Sequence, residues 1–298
     1  MQRILQANWQ HHLINTVLRG QFFISPEIAL GLGPQINELL KNNKLYTKDI
    51  QSLDAIDIKA YVGDEEHDAE EAVQEESRVI VLPVKGTMLK YGTMCTYGMD
   101  EIAYYMKHFA QQDDVSAIVI DIDTGGGSVN AVPPLLESIA FARAKGKPVV
   151  AHVDASYSAG YWTASACDRV FLNNAVTSGC GSIGVMLSYM DLIPYYEAAG
   201  AKYHEIYADP SGDKNSPFRN LLKGDYKQIK EEMLNPLAIQ FQNAVKSNRA
   251  DKLNINTEGL LSGAVFTGQK AIDTGLADQF GTLQEAINYA SLQAWANK

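Results

Sequence analysis

The run Ala117-Ile-Val-Ile-Asp121-Ile-Asp-Thr ends abruptly in Gly125-Gly-Gly-Ser128. Apolar and β-branched residues without helical spacing, stopped by glycines, predict a strand buried on both faces. Such strands belong to sheets covered by helices on each side, so this segment alone directs the chain towards an α/β architecture. A second run of the same kind, Val149-Val-Ala-His-Val153, leads into Ser156-Tyr-Ser158-Ala-Gly160-Tyr-Trp162. A glycine corner can offer backbone N–H groups to developing negative charge, and a strand running into a helix can deliver a hydroxyl beside it.

From Ser77 onward, apolar runs alternate with amphipathic ones. Strands are expected at Val79–Val84, Ala117–Asp121, Val149–Val153, Arg169–Leu172 and Tyr203–Tyr207. Apolar residues spaced by three and four predict helices over Met99–Phe109 and Val132–Ala144, and a shorter, small-residue helix over Ala159–Ala166. A long helical pattern follows Gly224 to about Ala250, with Pro236 expected to kink it. The unit from Phe266 to Asp278 then precedes a terminal helix. This alternation predicts β/α crossovers and a mostly parallel sheet.

The net charge of −10 is concentrated in one place. Asp64, Glu65, Glu66, Asp68, Glu70, Glu71, Glu75 and Glu76 lie together, which leaves −2 for the rest of the chain. A segment this acidic repels itself and buries no face, so residues 61–76 read as a solvated linker. Before it, residues 1–60 read as a helical N-terminal arm, in which Ser25-Pro26-Glu27 has the residues of a helix start ahead of Ile28–Leu40. After it, residues 77–298 form the main domain.

These features exclude several classes of function. Acidity without basic clusters is unsuited to nucleic acid. No long apolar stretch or signal pattern is present, which predicts a soluble, cytoplasmic protein without a membrane partner. Cys95, Cys167 and Cys180 lack paired spacing and fit a reducing compartment. His67 has no spaced set of co-ligands, so no metal or other cofactor is expected. Gly125-x-Gly127 lacks a third glycine, because position 130 is Asn130, and no Walker lysine follows, so a nucleotide loop is rejected.

Five blocks in order carry a resemblance: Val84-Lys-Gly86, Asp123-Thr-Gly-Gly-Gly-Ser128, Ser158-Ala-Gly-Tyr-Trp162, Gly181-Ser-Ile-Gly-Val185, and Val265-Phe-Thr-Gly268 with Gly275-Leu-Ala-Asp278. Over roughly Ser77 to Leu283 the chain resembles the signal peptide peptidase A family of Ser/Lys peptidases. The resemblance implies a ClpP/crotonase-like spiral of ββα units, a serine nucleophile, a lysine general base, polypeptide substrates and a homo-oligomer. The arm with Ile24-Ser-Pro-Glu-Ile28 and the missing membrane anchor look more like the phage capsid-maturation branch. That branch implies scaffold, capsid or portal proteins of a prohead as substrates, and possible cutting of the chain itself.

Ser158 falls on the nucleophile position, where a helix N-terminus favours developing negative charge; Ser156 is its local competitor. The x-Ser-x-Gly spacing is similar to a nucleophile elbow, but that fold needs a downstream Asp and His, and His204 is the only histidine after Ser158. By resemblance the base lies in Ala208-Asp-Pro-Ser-Gly-Asp-Lys214-Asn-Ser-Pro-Phe218. Lys214 is the only lysine of this loop, although the family register counted back from Ser216-Pro217 puts Gly212 at the base position. Lys85, Lys202 and Lys223 are rival bases. Ser182 matches the family serine that holds the base lysine, and Gly126 and Gly127 are the expected oxyanion hole, since residues without Cβ allow a carbonyl oxygen to approach closely. Alternatives are a non-catalytic capsid assembly module, a crotonase-like acyl-CoA enzyme, and a cytoplasmic peptidase that degrades proteins or signal peptides.

Overall fold

The computed structural model describes residues 22–24, 59–62, 77–93, 96–189 and 191–297. The expected helix at Ile28–Leu40, the acidic run, Cys95 and His67 lie outside these residues.

The core is a mostly parallel sheet. Strands β3 (Arg78–Lys85), β4 (Val115–Thr124), β6 (Val149–Tyr157) and β7 (Arg169–Leu172) pair in the order β7-β6-β4-β3, all parallel. Short β10 (Gln279–Phe280) extends one side in parallel, and β2 (Lys59–Val62) closes the other in antiparallel pairing. The long strand β6 has two neighbours on one edge. Its first half pairs with β7 and its second half with β8 (Gly179–Gly181), which in turn pairs antiparallel with β9 (Val265–Thr267). The split occurs just before Ser158.

Both faces of the sheet are apolar, as the unbroken strand runs require. Ile80, Leu82, Val84, Ile118, Ile120, Ile122, Ala151 and Val153 face one core. Helices α1 (Met99–Ala110), α2 (Val132–Ala144) and α3 (Ala159–Ser165) cover it. The alternate residues Val79, Val81, Ala117, Val119, Val150 and Phe171 face the opposite way, towards the terminal helix α8 (Leu283–Ala296). That helix meets the sheet through Ile287 and the small side chains of Ala286, Ala290 and Ala294. Its start is fixed by reciprocal bonds: the Thr282 N–H donates to the Glu285 carboxylate at 2.7 Å and the Glu285 N–H to Thr282 Oγ1 at 3.3 Å.

The parallel α/β order expected from the sequence is the one observed. One expected strand needs correction. Tyr203–Tyr207 is not a strand; it is largely exposed and joins no ladder among the described residues. The Tyr203 and Tyr207 hydroxyls both donate to the Glu205 carboxylate, at 2.6 and 3.0 Å, so the alternation in this segment satisfies its own side chains and builds no ladder. The long helix after Gly224 forms over Lys227–Arg249 and departs from α-helical geometry just before Pro236, where a kink was expected. A turn at Lys227–Ile229 widens to a π-helical stretch over Lys230–Leu234 before α6 (Asn235–Arg249) begins with Pro236 in its first turn. Proline has no N–H for the preceding turn, and the wider turn accommodates that loss. Between these elements lie α4 (Ile193–Ala198) and α5 (Ser216–Leu222), and α7 (Gln269–Asp273) follows β9.

Upstream of Ser77, where the sequence suggested a helical arm, the described residues are strands: β2, and β1 (Phe22–Ile24), which pairs antiparallel with β5 (Gly126–Ser128). Three residues without alternation carry too little pattern to be read as a strand.

Candidate active site

Ser158 stands where β6 turns into α3, with φ 55° and ψ −116°. A side chain with a Cβ rarely adopts positive φ, and a residue held there costs on the order of 1–3 kcal/mol. Its neighbours impose the conformation. The Ser158 N–H donates to the Gly181 carbonyl at 2.9 Å, and its carbonyl accepts from the Trp162 N–H at 3.0 Å. The backbone is thus tied to β8 on one side and to the new helix on the other. Gly160 must be glycine, since a Cβ there would lie 2.4 Å from Thr124 Cγ2. This close approach sets the first turn of α3 directly on the end of β4.

The glycine corner follows from the same contact. Thr124 pairs with Ser156 in the β4–β6 register, and Thr124 Oγ1 donates to the Gly86 carbonyl while accepting the Gly126 N–H at 3.0 Å. β5 then runs beside Met88: the Met88 N–H donates to the Gly126 carbonyl and the Ser128 N–H to the Met88 carbonyl, each at 2.9 Å. A Cβ on Gly127 would lie 2.0 Å from the Met88 carbonyl oxygen. Because peptide groups alternate along a strand, the N–H and C=O of Gly127 point away from Met88, towards the other edge of β5. Of the two glycines expected to stabilise an oxyanion, Gly126 therefore has its N–H engaged and Gly127 directs its own outward.

On the far side of Ser158, Gly181 (φ 121°) leads into Ser182, which also has positive φ, 56°. Its N–H donates to the Ala264 carbonyl at 2.7 Å, joining this turn to the residue before β9. Three separate sequence blocks, 124–128, 156–162 and 179–182, thus meet at the turn that carries Ser158.

Ser156, the competing serine, lies inside β6 with no exposed surface, and its Oγ is sealed without a partner. Tyr161 and Trp162 are core residues: the Tyr161 hydroxyl donates to the Leu276 carbonyl at 2.9 Å, and Trp162 stacks on Phe241 at 4.6 Å. Cys180, opposite Ser156, has its thiol pushed up by burial to about 12, too high to serve as a nucleophile.

Lys214 is not among the groups gathered at Ser158. It is exposed, at the tip of a loop in which the Arg219 guanidinium donates to the Gly212 carbonyl and stacks over Tyr207. Asn215, with φ 60°, turns that loop into α5. Gly212 is exposed too, with open space where a side chain would stand, and Lys214 is the lysine this loop carries. The rivals Lys202 and Lys223 are also exposed. Lys85 is engaged elsewhere, its ammonium 2.8 Å from Asp121 and 3.9 Å from Asp154, and strand alternation puts it on the α8 side of the sheet. Burial opposes ionisation of Asp121, but hydrogen bonds from His152 and Lys85 outweigh it and hold the carboxyl below its usual range.

A family model described as Peptidase family S49 matches residues 141–297, more than half of the chain. The chain belongs to peptidase family S49. The match includes Ser158, Ser182 and Lys214, while the glycine corner precedes it. Capsid assembly protease C of Escherichia phage lambda is 30% identical over 217 residues, covering 70% of this chain and 48% of that protein. Head-tail preconnector protein GP5 of Enterobacteria phage P21 is 29% identical over 216 residues, covering 70% and 42%. The chain spans about half the length of these relatives. Among solved structures, a mutant of the 1510-N membrane-bound stomatin-specific protease in complex with a substrate peptide is 20% identical. It covers 71% of this chain and 78% of its own, with a TM-score of 0.43. Among the described residues, no helix is long and apolar enough to cross a membrane.

One candidate oxyanion donor was missed by sequence reasoning: the N–H of Ala159. As the first residue of α3 it has no carbonyl to bond within the helix, and it adjoins the serine hydroxyl. The signal was present, because the residue after a nucleophile at a strand-to-helix turn is a common oxyanion donor.

Proposed function

We propose that this protein is a serine endopeptidase using a Ser158/Lys214 dyad. The observation that carries the reading is the strained Ser158, fixed between a glycine corner and the Gly181–Ser182 turn. In this reading an extended peptide pairs with β5, and Ser158 Oγ attacks its carbonyl carbon while the Lys214 amine takes the hydroxyl proton. The resulting oxyanion is held by the N–H groups of Gly127 and Ala159. The C–N bond breaks as Lys214 returns the proton to the leaving amine. A water molecule, deprotonated by the same lysine, then releases the acyl group and restores the serine. Ser182 positions the lysine amine by accepting one of its hydrogens.

An amine acts as a base near neutral pH only when desolvation or nearby positive charge disfavours its protonated form. Lys214 is exposed on a single chain, so the dyad needs a second copy to cover it. The segment that carries it is suited to this role. Tyr195 is 70% exposed, Tyr196 54%, Tyr203 52% and Ile206 94%, an apolar surface of the kind that marks an interface. Relatives named for capsid assembly and head-tail connection support phage head proteins as the substrates, with scaffold, capsid or portal chains cut inside the host cytoplasm or the prohead. Residues 1–60 and the acidic linker 61–76 then act as an arm that places the 77–298 peptidase domain on its target.

Hydrolysis of denatured casein by the purified protein tests the activity, with Ser158→Ala and Lys214→Ala as paired variants. Loss in both supports the dyad. Activity retained in Lys214→Ala moves the base to another lysine, and activity retained in Ser158→Ala removes the reading. Gly212 at the family base position favours a second reading, a non-catalytic assembly module. That reading requires a wild-type oligomer inert towards casein.

A further inference from the structure

We infer that Phe22–Ile24 sits where a substrate strand would lie on β5, so that the chain closes its own cleft until this segment is displaced. The inference rests on the reading of Ser158 as nucleophile and Gly127 as oxyanion donor. β5 has two edges. One is occupied by Met88, whose N–H and carbonyl bond to Gly126 and Ser128. On the other edge runs β1, antiparallel, with Phe23 opposite Gly127, Phe22 opposite Ser128 and Ile24 opposite Gly126. Since Gly126 and Ser128 turn their bonding groups towards Met88, the pair that exchanges bonds across the β1–β5 edge is Phe23 with Gly127. The Phe23 carbonyl therefore takes the N–H that would receive a substrate carbonyl, and β1 also packs against α3, the helix that begins at Ser158.

A second observation agrees. Ser158 is only 1% exposed, a level at which no external peptide carbonyl reaches its hydroxyl. Addition of a peptide strand to a free sheet edge is a general mode of binding, and a strand already there excludes another. A three-residue seat held by backbone bonds is also weak enough to be exchanged, since each such bond contributes little net stability.

The test uses the full chain with Phe23→Pro, which removes the N–H that Phe23 donates to the Gly127 carbonyl. Phe22→Pro is the control, because alternation turns the Phe22 N–H away from β5. Two rates are measured: labelling of Ser158 by a fluorophosphonate, whose phosphoryl oxygen needs the same Gly127 N–H, and hydrogen exchange at the Gly127 amide. Phe23→Pro is expected to raise both about tenfold or more, and Phe22→Pro to leave both within about twofold of wild type. Equal labelling of wild type and Phe23→Pro overturns the inference. If neither protein is labelled, the peptidase reading fails, and Gly127 exchange alone decides the seat: acceleration in Phe23→Pro upholds it, and no change overturns it. A wild-type chain found with a new N-terminus at Ile24 also overturns the closed cleft, because the segment has then been consumed as a substrate.

Discussion

Replacing Gly127 with alanine would place a methyl group 2.0 Å from the Met88 carbonyl oxygen, 2.6 Å from its carbon and 2.7 Å from the Met88 nitrogen. All three are backbone atoms, so no side chain can rotate away. To bring the nearest contact even to 3.0 Å, β5 must shift by about 1 Å relative to Met88. The two 2.9 Å bonds between Met88 and β5 do not survive such a shift. Their loss costs about 1 kcal/mol each, and overpacking adds about 1–3 kcal/mol. For a domain of this size each kcal/mol lowers Tm by about 2–4 °C, so a fall of about 6–20 °C is expected by calorimetry. Displacing an oxyanion donor by that distance should also reduce casein hydrolysis by about 10²–10³-fold, measured well below the variant's Tm. A Tm within about 1 °C of wild type would refute the packing argument. A lowered Tm with full activity would refute the role of Gly127.

Ser158→Gly should abolish hydrolysis while raising stability by about 1 kcal/mol, because glycine adopts φ 55° without strain; a lowered Tm in a scan contradicts this. Arg249→Leu should destabilise by about 3–5 kcal/mol in urea titration. Arg249 is 2% exposed, and its guanidinium bonds the Asp278 carboxylate at 2.9 and 3.0 Å, so the substitution leaves a buried carboxylate held by Lys252 and the Val170 N–H. Burial works against ionisation of Asp278, but Arg249, Lys252 and the Val170 N–H outweigh it and hold the carboxyl below its usual range. A depressed folded value stabilises fully above the unfolded value of about 3.9 and ceases to do so as pH falls through the folded one. The stability gap between wild type and Asp278→Asn should therefore narrow as the pH falls below about 4, and a constant gap would show that the charge is not responsible. If a second copy covers Lys214, specific activity should fall on dilution in step with dissociation measured by light scattering; dilution without effect contradicts it.

The sheet was legible because its strands are buried on both faces: continuous apolar runs such as Ala117–Ile120 have no other stable placement. The close packing around the candidate nucleophile was legible because Gly125-Gly-Gly and Ser158-Ala-Gly report close approaches, and Gly160 against Thr124 and Gly127 against Met88 are those approaches. β5, β8 and β9 were not legible. Each has three residues, and each is a strand only because a neighbour offers an edge: β6 for β8, β8 for β9 and β1 for β5. The pairing of Phe22–Ile24 with the glycine corner joins residues about a hundred positions apart and has no local signature at all. Lys214 illustrates a different limit. Loop lysines are usually exposed, and the chemistry proposed for this one depends on what covers it, which lies beyond a single chain.

The account rests most directly on the chemistry of one hydroxyl. Tandem mass spectrometry of the assembled protein after fluorophosphonate treatment should locate the adduct on Ser158, with labelling lost in Lys214→Ala. An adduct on any other serine, or none on a folded and oligomeric wild-type protein whose Gly127 amide exchanges freely, would contradict it.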